Sequence, residues 1–214
     1  MSLRATMREL VYAILRHVPL VRIFILQQGN QCRVRPPYWF WQKVLGFNRQ
    51  AYWPMHHSSR VTSWRKVIAG IETCPGYMPG CYIQGTNGIE IGDYTQIGPG
   101  VGLISSNHDL YENQRHAAPK RPIRIGAYGW IGMNAVILPG VRLGDFTIVA
   151  ANSLVTRSFP KGYCVIGGNP ATKLYSLDPA KCVRYRHRHE FNGYIPHARF
   201  ARYCREHLAT LEDV

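Results

Sequence analysis

From Ile83 to Thr156 a branched aliphatic residue returns at every sixth position. Ile91, Ile97 and Leu103 set a first phase, and Ile125, Ile131, Ile137, Leu143, Val149 and Val155 set a second. Two positions before each of them stands a small or branched residue: Ile89, Thr95 and Val101, then Ile123, Gly129, Ala135, Val141, Thr147 and Ser153. A glycine follows the aliphatic residue at Gly92, Gly98, Gly126, Gly132 and Gly144. Helices repeat at about 3.6 residues and strands at about 2, so a sustained period of six fits neither. It fits an all-β solenoid, a parallel β-helix in which each hexad supplies one short strand and one tight corner. The aliphatic side chain fills a narrow interior, and the glycine relieves crowding where the backbone turns. On this reading Ile83 to Ile104 form about one coil and Ile123 to Ser158 two more. Val61 and Val67, six apart, mark an irregular first coil.

Between the two phases the segment SSNHDLYENQRHAAPKRP, residues 105–122, breaks the rhythm completely. A loop of this length without a repeat of its own is functional or disordered. Flanked by rigid coil on both sides, it reads as an excursion that carries chemistry out from a scaffold. His108 is its most reactive side chain: imidazole titrates near neutrality and is suited to taking a proton from a hydroxyl. Asp109 and Glu112 are the carboxylates in reach to orient that imidazole, or are simply solvated.

Three segments follow from these boundaries. Residues 1–54 form a basic, aromatic cap; residues 55–175 form the β-helix, with the excursion at 105–122; residues 176–214 form a basic extension, helical at its end and too short for a second domain. The stretch 27–54, rich in Trp, Tyr, Pro and Arg, is expected to cover the open end of the first coil, whose backbone groups need partners. Near the other end, Pro160, Gly167, Gly168, Asn169 and Pro170 read as a turn that leaves the coil.

The formal net charge is +14, and the excess lies almost wholly in residues 1–66 and 181–205. Such a balance attracts anionic partners: nucleic acid, a phosphorylated cofactor or an acidic membrane face. No nucleic-acid-binding module accompanies it, so nucleic acid is not expected as a partner. Residues 10–26 are apolar but interrupted by Arg16, His17, Pro19 and Arg22, too broken for a spanning helix. Leu3, Met7, Leu10, Val11, Ile14, Leu15 and Val18 share one helical face, which either lies on an anionic membrane or packs on the solenoid. The expected location is cytoplasmic or peripheral to the inner face of the membrane. Six cysteines without a paired spacing read as free thiols, small and hydrophobic in character.

Ser106-Asn107-His108-Asp109, Pro122-Ile123-Arg124-Ile125-Gly126, Trp130-Ile131-Gly132, Leu138-Pro139-Gly140-Val141 and Gly168-Asn169-Pro170-Ala171, in that order, resemble the hexapeptide-repeat acyltransferases. The likeness covers about residues 55–175. It is to the maltose and galactoside O-acetyltransferases and to exopolysaccharide acetyltransferases of the colanic acid type. It implies a left-handed parallel β-helix assembled as a homotrimer, acetyl-CoA as co-substrate, no metal, and a sugar or oligosaccharide acceptor in polysaccharide biosynthesis. Matched residue by residue, His108 is the general base, with Asn87 and Asn107 on the acceptor side. Trp130, Met133, Ala151, Thr156, Arg157 and Lys173 fall where the family holds CoA. Met133 departs from a small polar residue seen in some members, and Arg157 replaces a usual Lys while keeping a cation and adding a fork of donors. Asn87 precedes Gly88 and is equally a turn residue, and Trp130 is equally a subunit contact. Three other readings share the scaffold: acetylation of an antibiotic or other xenobiotic, a non-enzymatic trimeric binding protein, and a carbonic-anhydrase-like zinc protein using His56, His57 and His116.

Overall fold

A computed structural model describes residues 19–119 and 121–211. The amphipathic face expected over residues 3–18 lies outside the described residues. The hexads fold as short parallel strands that pass in turn through three sheets. The first sheet stacks β1 (Arg60–Thr62), β3 (Tyr82–Gln84), β6 (Gly102–Ile104), β9 (Val136–Ile137) and β12 (Leu154–Val155). The second stacks β2 (Val67–Ala69), β4 (Ile89–Ile91), β7 (Ile123–Ile125) and β10 (Arg142–Leu143). The third holds β5 (Gln96–Ile97), β8 (Trp130–Ile131), β11 (Thr147–Val149) and β13 (Cys164–Gly168), with β14 (Ala171–Ser176) antiparallel at its edge.

The register follows the sequence phase. Val61, Ile83, Leu103, Ile137 and Val155 pair in line through the first sheet. Ala69, Ile91, Ile125 and Leu143 do so through the second, and Ile97, Ile131, Val149 and Ile166 through the third. Every one of these side chains is buried, and burying a Val, Leu or Ile stabilises by roughly 1.5–3 kcal/mol. The residues two positions earlier also point inward, so each hexad contributes two interior positions. Where these are threonine, the hydroxyl satisfies a corner carbonyl: Thr73 donates to Gly92 O, Thr95 to Gly126 O and Thr147 to Gly144 O.

Three edges separate the sheets, and their contents differ. The excursion leaves β6 and returns at β7, on the edge between the first and second sheets. Met133 and Ala151 sit on the edge between the third and the first. The edge between the second and third carries Tyr94, Tyr128, Phe146 and Tyr163, each at positive φ and stacked ring on ring at 5.1 to 5.3 Å.

Two described segments, one before and one after the hexads, cap the first coil. Trp53 is fully buried and donates its indole N–H to Pro75 O, while Tyr52 Oη accepts from Ala69 N. The tail returns to the same place: Asn192 Nδ2 donates to Ala69 O, and Phe200 of the C-terminal helix (His197–His207) packs on Tyr52. The cap is therefore built by two segments, whereas the sequence pointed only to 27–54. The exit also differs in detail. Gly167 and Gly168 continue as strand in β13, paired to β14, and the turns fall at Pro160 and at the Asn169–Pro170 step. All six cysteines are free.

Candidate active site

The excursion is fastened at its base by buried hydroxyls. Ser105 Oγ donates to Gln84 O at 2.6 Å and accepts from Asn87 N at 3.0 Å. Ser106 N donates to Gln84 Oε1 at 2.8 Å. Asn87 is thereby tied to the loop through its backbone, one coil below His108. The return is held where Ile123 N donates to Gly88 O. Beyond the base the loop folds on itself: Ala117 N donates to Asn107 O and Asp109 N to Arg115 O, with an antiparallel bridge between His108 and His116.

Within this small ribbon the His108 imidazole is exposed and stacks on His116, with ring centroids 5.4 Å apart and planes at 19°. Ser106 Oγ lies 2.9 Å from His116 Nδ1, so a buried serine fixes the ring on which His108 rests. The carboxylates do not orient His108. Asp109 Oδ1 accepts from Tyr111 N and Glu112 N, closing a local turn, and Glu112 pairs with Arg115 at 3.0 Å. Ser105, Ser106, Gln84 and His116 were missed as positioning groups. Small polar residues at a strand end were the one available signal, and it did not say which carbonyls they would meet. At the loop tip Leu110 and Tyr111 are 93% and 99% exposed.

The remaining candidates do not gather round His108 in one chain. Thr156 and Arg157 share its edge but lie on the coil of β12, two coils further on, with Arg157 over the Phe159 ring at 5.6 Å. Trp130 is exposed on the third sheet between Gln96 and Ile148. Met133, exposed, and Ala151 stack on the edge between the third and first sheets, where Gly132 lets the Ala151 backbone approach. Lys173 stands on β14 opposite Ile166. Its charge opposes the burial that pushes the Cys164 thiol up. Trp130, Met133, Arg157 and Lys173 thus lie on separate faces of a single chain.

Away from the loop, the segment 184–190 lies along the aromatic edge. Arg184 sits over Tyr128 and Phe146 at 5.3 and 5.1 Å and pairs with Asp145 at 2.7 Å. His187 Nδ1 is hydrogen-bonded to buried Glu72, whose carboxyl is pushed up from its ordinary range by desolvation against the pull of His187. Among the described residues no group of three or more His, Cys, Asp or Glu stands close enough to hold a metal ion. His56 and His57 adjoin each other, whereas His116 is on the excursion. No described helix is long and apolar enough to cross a membrane.

Sequence and fold comparisons find acetyltransferases among the proteins that this chain is similar to. Nodulation protein L of Rhizobium meliloti (strain 1021) is 45% identical over 89 residues, 41% of this chain and 49% of that protein. Galactoside O-acetyltransferase of Escherichia coli (strain K12) is 36% identical over 81 residues, 37% of this chain and 40% of that protein. In fold, a galactoside acetyltransferase solved in complex with coenzyme A matches with a TM-score of 0.57 at 20% identity, over 90% of this chain and 92% of that one. The chain spans about half the length, or less, of the curated relatives it matches. No protein-family profile matches it.

Proposed function

We propose that this chain is an acetyl-CoA-dependent O-acetyltransferase that places an acetyl group on a sugar hydroxyl in polysaccharide biosynthesis, from a left-handed β-helix assembled as a homotrimer. The observation that carries the reading is His108, exposed on a loop whose base is pinned to a rigid edge, in a chain similar to named galactoside O-acetyltransferases. His108 accepts the acceptor's proton as the hydroxyl oxygen attacks the thioester carbonyl carbon. The carbon–sulfur bond then breaks, and the proton passes to the departing thiolate to give the free thiol of CoA. Positioning and proton removal supply most of the acceleration. Asn87 and Asn107 face the acceptor, and Trp130, Met133, Ala151, Thr156, Arg157 and Lys173 take the CoA.

Those two groups of residues lie largely on different faces of the prism, so one copy supplies His108 and a neighbour supplies Met133 and Ala151. The exposed tip at Leu110 and Tyr111 fits the same reading, as a contact waiting for a second copy. The enzyme works in the cytoplasm or at the inner membrane face, which its basic ends approach.

Replacing His108 by alanine should lower acetyl transfer by about 10²–10⁴-fold, read as thiol release from acetyl-CoA, with the melting temperature unchanged. A fully active His108→Ala variant would falsify the mechanism. A panel of sugar and drug acceptors tests the substrate class, and robust turnover on drugs alone overturns the sugar reading. Calorimetry with CoA separates an enzyme from a binding scaffold, which would show no uptake.

A further inference from the structure

The segment 36–47 is built inside out. It runs as a short helix (Pro36–Trp39) continued by a wider turn (Phe40–Val44). It turns Tyr38 partly inward against the core, but its one fully buried residue is polar, Gln42. Its Nε2 donates to Asn48 O and Trp53 O, and its Oε1 accepts from Met55 N and Tyr194 Oη. The residues it turns outward are apolar. Trp39, Phe40, Trp41, Val44, Leu45 and Phe47 are each between 36% and 54% exposed. The rings are held in place, Trp41 stacked on His57 at 4.7 Å and edge-on to Phe47 at 5.6 Å. Monomeric proteins rarely leave so many large apolar groups together in water, and such a patch marks an interaction surface.

Charge decides what the surface meets. Arg33, Arg35 and Arg49, which flank the segment in sequence, are exposed, and the sequence has no carboxylate at all between Glu9 and Glu72. Beside the patch opens a cavity of about 740 Å³, shared through Trp39 and Lys43 and lined further by Arg22, Arg188 and Arg199. Among the described residues its one carboxylate, Glu190, is already engaged by Tyr94 Oη and Arg186 Nε, each at 3.0 Å. A second copy would set like charge against like. A bilayer with anionic headgroups offers phosphates to the arginines and a boundary layer where tryptophan and phenylalanine are favoured.

We propose that residues 39–47 form a docking surface for anionic phospholipid bilayers, with the rings at the headgroup boundary and Arg33, Arg35 and Arg49 against phosphates. The surface lies on the cap of the first coil and takes no part in acetyl transfer, so its test is independent of that reading. The full chain is sedimented with phosphatidylcholine vesicles with and without phosphatidylglycerol. Partitioning should be about tenfold or more stronger onto the anionic vesicles and should weaken as salt is raised. The triple variant Phe40→Ser, Val44→Ser, Leu45→Ser, with its melting temperature as a folding control, should lose that partitioning by a similar factor. A single variant, Arg35→Glu, should weaken it without touching the apolar patch. Equal partitioning onto neutral vesicles, no partitioning onto either, or a triple variant that binds like the parent each overturns the proposal. Concentration-dependent self-association abolished by the triple variant also overturns it, by showing a second copy on the patch.

Discussion

Gly126, half-buried, and Gly102, buried, are both glycines of the coil, yet only one is required there by close approach. A Cβ on Gly126 would stand 2.4 Å from Asp145 N and 2.6 Å from Gly144 C, backbone atoms of the next coil that have nowhere to go. A Cβ on Gly102 would meet Val136 at 3.5 and 3.6 Å, ordinary contact. Gly126→Ala should therefore destabilise by about 1–3 kcal/mol through overpacking. Gly102→Ala should be neutral or stabilise by about 0.5–1 kcal/mol, because glycine loses more freedom in a strand than alanine. Urea denaturation midpoints of the two variants test this, and equal losses would show that the coils are not spaced as described. The distinction was legible in the sequence. Gly126 stands one place after an interior aliphatic, where the chain crosses under its neighbour, and Gly102 one place before. The positive-φ positions were less so: Tyr94, Tyr128 and Phe146 each stand three places after a second-sheet aliphatic, where asparagine or glycine is the easier occupant.

Why an aromatic should accept that backbone becomes clear at the scale of the element. The rings stack along one edge, and the segment 184–190 is laid over them, with Arg184 on two ring faces and His187 bonded to Glu72 at the foot of the same column. Cation–π contacts of this kind contribute about 0.5–1 kcal/mol each where exposed. Glu72 makes the strap sensitive to pH. Burial raises its folded-state value above the ordinary 4.5, so the folded chain keeps a proton that the unfolded chain has already lost. Stability contributed through this group is present below the ordinary value and falls as pH rises through the raised one. Glu72→Gln removes that fall, so the variant should gain on the parent as pH rises above the ordinary 4.5 in urea titrations. A gap that stays constant or moves the other way would show that the His187 bond outweighs burial. None of this was readable along the chain. The hexads were, because a narrow interior dictates the residue at each phase, but the tail meets the coil through contacts 115 positions apart. The excursion was legible as an interruption and its histidine as a candidate. Its fastening by Ser105 and Ser106 to Gln84 depends on which coil lies beneath, and His116, read as a possible metal ligand, is instead the ring against which His108 rests.

At the scale of the molecule, the separation of the candidate residues over two edges makes a prediction that no single-chain site shares. If His108 of one copy meets Met133 of a neighbour, the interface is head to tail and a closed ring repeats it at every junction. Two inactive chains, one His108→Ala and one Met133→Glu, each then retain what the other lacks. Co-expressed and randomly mixed, they should form about a quarter of their junctions from one intact His108 and one intact Met133. Acetyl transfer should return to about that fraction of the parent's rate, although each variant alone is silent. A site formed within one chain would give no recovery at any mixing ratio, since every chain carries a defect. Recovery without mixing of subunits, checked by tagging one variant and isolating the mixed assemblies, would point to reversion and count against the shared site. Because both parents must first be shown inactive and folded, a failure here rejects the junction while leaving the proposal for His108 to its own test.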